Sequence, residues 1–102
     1  METMEKVFDG KTFVFHKIPA VPAREILLCY GSSVSTDNYA KNEDMMYKIL
    51  SYVSIKLEGK ADELFLKNED IINNHILSAK TLIEIEKEEF DYNFDFLSDG
   101  EN

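Results

Sequence analysis

The sequence predicts a single small α+β domain, helix-dominated, with two short β-hairpins and about four α-helices. Three observations carry this expectation. The chain has 102 residues, enough for one core and too few for two. Hydrophobic residues make up 44% and charged residues 30%, a globular composition and not a disordered one. The apolar pattern also changes period along the chain, alternating around two glycine turns and running at helical spacing elsewhere. The expected domain covers residues 1–94, with 95–102 as an acidic C-terminal tail, frayed or extended.

The first hairpin is expected where Val7-Phe8 and Thr12-Phe13-Val14-Phe15 flank Asp9-Gly10. Asp-Gly between β-formers marks a two-residue turn, because both central positions take φ > 0. Phe13 and Phe15 then share one strand face, and Val14 and His16 share the other. Ile18 precedes Pro19 and must be extended. Pro22 opens the first helix, which runs through Tyr30 and stops at Gly31. Its Ile26-Leu27-Leu28 run is apolar most of the way round, which predicts a well-buried helix. Asn42 is the expected cap of the second helix, ahead of Glu43 and Asp44 and the apolar spacing Met46, Ile49, Leu50, Val53.

At Val53-Ser54-Ile55-Lys56-Leu57 the period becomes two. Gly59 then sits in a turn, and Leu64-Phe65-Leu66 pairs back as a second hairpin. Asn68 caps a short third helix over 69–75. Ser78 caps the fourth, with Leu77 and Leu82 at the positions of a hydrophobic staple. That helix carries the stripe Leu82, Ile83, Ile85, Phe90, Phe94, with its glutamates on the opposite, solvated face, and reaches about Asn93. The alternation Phe90-Asp91-Tyr92-Asn93-Phe94-Asp95-Phe96 also fits a strand.

Charge excludes several partners. Twenty acids against eleven bases leave −9 at pH 7. Phosphates repel such a chain, so neither nucleic acid nor an anionic membrane is an expected partner. No apolar run approaches the ~20 residues of a membrane span. The N-terminus lacks the basic-then-apolar order of a secretory signal. One cysteine, Cys29, forms no internal disulfide, which fits a reducing cytoplasm. The excess charge is local: residues 1–41 are neutral overall, whereas 84–102 hold eight acids and one base.

No catalytic, cofactor or metal residues are expected. Nucleophilic catalysis needs Ser or Cys beside a base, and the chain offers only His16 and His75. Cys29 reads as a buried structural thiol, His75 as a helix-end residue, and His16 as a strand residue without a partner in view. Zinc needs clustered Cys or His, which are absent. Asp91-x-Asn93-x-Asp95 matches three ligand positions of a calcium loop, with Asp99 at the ninth. However, the sixth position is Phe96 instead of Gly and the twelfth is Asn102 instead of Glu. Glu84, Glu86, Glu88 and Glu89 are available for acid–base work but face solvent on the helix. Hence the chain is expected not to be an enzyme.

The aromatic, acidic C-terminal segment is the candidate partner site. Phe90, Tyr92, Phe94, Phe96 and Leu97 interleave with Asp91 and Asp95. Two readings stand: the rings finish the core, or they anchor an apolar partner with a basic rim. Both hold if Phe90 packs inside while 94–97 are exposed.

The chain resembles the tail assembly chaperones of tailed bacteriophages and prophages. The likeness runs from Lys11-Thr12-Phe13-Val14-Phe15-His16-Lys17-Ile18-Pro19-Ala20 into Arg24-Glu25-Ile26-Leu27, and resumes at Ile49-Leu50-Ser51-Tyr52-Val53-Ser54-Ile55. It is most telling in Ile71-Ile72-Asn73-Asn74-His75-Ile76, Thr81-Leu82-Ile83-Glu84-Ile85-Glu86 and Tyr92-Asn93-Phe94-Asp95-Phe96. It covers about three-quarters of the chain. The acidic Glu86-Lys87-Glu88-Glu89 and the short acidic tail depart from the pattern. The resemblance implies a non-catalytic protein of the bacterial host cytoplasm, absent from the mature virion. It would bind the tape measure protein and help tail tube protein assemble around it. The competing expectation is an acidic DNA mimic that inhibits a nuclease or restriction enzyme.

Overall fold

The computed structural model describes residues 2–33 and 39–95. Its element order is β1 (Thr3–Phe8), β2 (Lys11–His16), α1 (Ala20–Ser33), α2 (Tyr39–Leu50), β3 (Val53–Lys56), β4 (Glu63–Phe65), α3 (Glu69–His75) and α4 (Ala79–Phe94). This is an α+β domain, as the sequence predicts.

The Asp9-Gly10 turn forms as expected. Asp9 has φ 51° and Gly10 φ 78°, both in the left-handed region that closes a two-residue hairpin with the right twist. β1 begins at Thr3, four residues earlier than the β-formers alone suggest, because all six residues of β2 find an antiparallel partner in it. The second hairpin, β3–β4, also forms, with Gly59 at φ 78° in its connection.

The two hairpins are one sheet. β2 pairs with β3, Phe13 opposite Ile55 and Phe15 opposite Val53, in the order β1-β2-β3-β4. These four side chains share one face. They build the main core with Leu50 of α2, Leu66, Ile72 of α3, Ile76 and Ile85 of α4. A second cluster joins α1, α2 and the end of α4 through Ile18, Ile26, Met45, Ile49 and Phe94.

Helix starts differ from expectation in two places. α1 begins at Ala20, and Pro19 O accepts the first helical bond from Ala23 N at 2.9 Å. Pro22 still lies in the first turn, where no N–H is needed. α1 also continues through Gly31 to Ser33. A helical glycine costs only about 1 kcal/mol relative to alanine, too little to end a helix anchored by a buried face. α2 begins at Tyr39, so Asn42 is an interior residue and not the cap.

The other two caps form as read. Asn68 Oδ1 accepts from Ile71 N at 2.9 Å, and Ser78 Oγ accepts from Thr81 N at 3.4 Å. The staple at Ser78 does not close: Leu77 is 85% exposed. α4 resolves the helix-or-strand ambiguity as helix through Phe94, with Asp95 as its C-cap. The rest of the predicted tail lies outside the described residues.

Candidate functional site

α4 lies against the sheet and α2, so its surroundings decide the fate of the predicted anchors. Phe94 is buried at 5% exposure in the second cluster, with Phe90 partly buried beside it at a ring separation of 4.7 Å. The expectation that Phe94 is exposed is therefore corrected, since Ile26 of α1 and Ile49 of α2 supply a dry pocket for it. Tyr92 is partly buried, with the Lys17 ammonium 3.9 Å from its ring centre. Phe96 and Leu97 lie outside the described residues.

Side-chain hydrogen bonds fasten this end of α4. Lys17 Nζ donates to Tyr92 O at 2.7 Å, placing a cation at the helix C-terminus where the dipole favours one. Asn93 Oδ1 accepts from Ile18 N at 2.8 Å, and Asn93 Nδ2 donates to Glu89 O and to His16 O. Asn93 is thus a structural tie. The Asp91-x-Asn93 segment is helical and not a calcium loop. At the other end, Thr81 Oγ1 donates to Asp9 Oδ2 at 2.8 Å, and Lys6 pairs with Glu88.

The glutamate face is not uniformly solvated. Glu89 is 0% exposed, and neither carboxyl oxygen has a hydrogen-bond partner. The Tyr92 hydroxyl, three residues on, is buried and unpartnered too. Burial pushes the Glu89 carboxyl up to about 9, and Asn93 and Lys17 pull it only part of the way back. Burial also raises Glu86, and it raises Tyr92 with help from Glu2 and Glu89. Position explains Glu89: it falls four residues after Ile85, on the same inward-facing row of the helix. Ile83, assigned to the apolar stripe, points outward and is 63% exposed.

His16 does have partners. Its Nε2 lies 3.0 Å from Ser54 Oγ and 3.4 Å from Glu63 Oε1, and Ser54 Oγ donates to Glu63 Oε1 at 2.6 Å. Ser54 Oγ thus bridges the His16 ring and the Glu63 carboxylate. Ser54 is also fully buried. The trio is a cross-strand network joining β2, β3 and β4, with the His16 ring 5.0 Å from that of Phe65. His75 ends α3, where its carbonyl accepts from Lys11 Nζ at 2.8 Å. Among the described residues, no three His, Cys, Asp or Glu side chains cluster as metal ligands. No helix among them is long and apolar enough to cross a membrane.

Among the described residues, large apolar side chains face outward at Val7, Val21, Leu28, Leu77 and Ile83, and two of them lie together on α1. Val21 is 82% exposed and Leu28 64%. One helical face carries both, seven residues apart, with Arg24 and Glu25 between them. With Pro22 and Cys29 these residues form one open face of the helix. Leu28 corrects the expectation of a well-buried helix, and Cys29, read as a buried thiol, is only partly buried. The Ile26-Leu27-Leu28 run held the signal: apolar residues pointing several ways predict partners on several sides, and the described residues supply them for Ile26 and not for Leu28.

Comparison with family models, curated proteins and solved structures found no match.

Proposed function

We propose that the chain is a non-catalytic assembly chaperone of the tailed-phage type, binding an apolar helical segment of a tape measure protein in the host cytoplasm while tail tube protein assembles. The observation that carries this reading is the outer face of α1, where Val21 and Leu28 expose large apolar side chains on a chain of net charge −9. A long client with uncovered apolar helices needs such a face for affinity. It also needs a charged carrier for solubility. The sequence resemblance described above supports the same reading. In this reading Phe90 and Phe94 serve the fold, and Phe96 and Leu97 are the remaining anchors of the C-terminal segment.

The test is affinity capture from the native lysate with the wild type and with Leu28→Asp. Recovery of a very long helix-rich protein by the wild type, at least tenfold reduced by Leu28→Asp with unchanged circular dichroism, is the expected result. Capture of a nuclease or restriction subunit, competed by DNA, would replace this reading with the DNA mimic.

A further inference from the structure

We propose that α4 is a proton-dependent latch: with the Glu89 carboxyl protonated the helix stays docked on the sheet and on α2, and loss of that proton releases the helix before the rest of the domain unfolds. The geometry rests on three observations. First, Glu89 is fully buried and neither carboxyl oxygen has a hydrogen bond within reach; the hydroxyl of Tyr92, three residues on, is buried without a partner too. A neutral carboxyl tolerates such a site, whereas an ionised one needs a cation or several donors.

Second, the neighbouring groups compensate only in part: burial outweighs Asn93 and Lys17, and Asn93 Nδ2 already donates to Glu89 O and His16 O. On α4 itself stand Glu86 and Tyr92, and Glu2 acts on Tyr92 from the segment before β1. From the β2–α1 connection comes Lys17, the one cation acting on Glu89. Lys17 is already committed to Tyr92 O at 2.7 Å and to the Tyr92 ring. His16 reaches this region through its carbonyl oxygen, an acceptor from Asn93. Both groups that favour a charge on Glu89 are thus engaged elsewhere as well, Asn93 with main-chain oxygens and Lys17 with the helix end.

Third, α4 is separable from the sheet. Its backbone-to-backbone hydrogen bonds stay within the helix and its Ser78 cap. Side chains alone hold it: Ile85 and Phe94 in the two clusters, and the ties of Thr81, Glu88, Tyr92 and Asn93 at its rim. Undocking leaves the β1-β2-β3-β4 ladder and the α1–α2 pair intact. It also uncovers the parts of the two clusters that Ile85 and Phe94 close.

Amide hydrogen exchange of the full chain from pH 5 to pH 8, corrected for intrinsic rates, tests this. For a carboxyl ionised only when the helix is open, protection of the α4 amides is expected to fall about tenfold per pH unit. The amides of the β2–β3 ladder are expected to stay at least tenfold better protected at every pH. In Glu89→Gln, and in Glu89→Leu as an apolar control, the α4 profile is expected to be flat. Two results overturn the latch. One is a flat wild-type profile, meaning that Lys17 or a shift in place accommodates the charge. The other is equal protection of α4 and the sheet at every pH, meaning that Glu89 ionises only when the whole domain unfolds.

Discussion

Phe15 of β2 and Glu89 of α4 are both fully buried in the same small domain, yet their surroundings differ in kind. Around Phe15 the burial is apolar on every side: Phe13, Val53, Leu50 and Ile85 share its cluster, and Phe8 meets its ring edge-on at 6.4 Å. Around Glu89 the burial includes two carboxyl oxygens and a phenol without partners. Accessible area treats the two positions alike. Chemistry separates them, because removing a ring from water lowers the free energy of folding and removing an unpaired carboxylate raises it.

The largest expected effect tests the apolar side of this contrast. Phe15→Ala deletes a fully buried ring from the centre of the sheet and is expected to cost about 3–5 kcal/mol in urea unfolding. A cost under about 1 kcal/mol would mean that the β2–β3 face is loosely packed and that the contrast is false.

The next tests the polar side. The Glu89 value lies near 9 in the folded chain against an ordinary 4.5, so the folded state holds the extra proton between those limits. Stability therefore falls as pH rises through that window and levels off on either side. At pH 7 the wild type is expected to be less stable than at pH 4.5 by on the order of 3 kcal/mol from this group alone. Glu89→Gln is expected to recover roughly 2–3 kcal/mol of that at pH 7 and to flatten the pH profile of the urea midpoint. A destabilised Gln variant would show that the carboxylate has a use in the folded state.

Smaller effects sharpen the comparison at the surface. Gly10 occupies φ 78° with open space where a Cβ would sit, so Gly10→Ala is expected to cost about 1 kcal/mol from backbone conformation alone. Thermal unfolding reads that shift. The exposed Lys48–Glu25 pair marks the lower limit. Lys48→Gln is expected to leave the urea midpoint unchanged, because solvent screens the pair.

Local features were legible wherever one residue's own chemistry dictates the backbone. Asp9-Gly10 reads as a hairpin turn because few other pairs accept φ > 0 twice, and Asn68 and Ser78 read as caps because their oxygens reach the orphan amides three residues on. Gly31 and Asn42 misled for the same reason. A terminator or a cap is a preference of about 1 kcal/mol, and it yields where packing extends the helix past it. The aromatic segment was legible only as two alternatives, since a helical stripe announces burial without saying against what. Phe90 and Phe94 went inward because α1 and α2 meet at that end of α4, a fact held by residues 40 to 70 positions away in the chain.

The sequence by itself determined the α+β class, both hairpins, the third and fourth helices and the acidic imbalance, all of which follow from neighbours within about four residues. Only the tertiary structure decided that β2 joins β3 to make one sheet, that His16 meets Ser54 and Glu63, that Val21 and Leu28 stay outside, and that Glu89 goes in. These are contacts between distant segments, and no local preference encodes them. Glu89 shows the reason most plainly: a glutamate's own chemistry asks for water, and the apolar residues of its helix face, buried together, overrule it.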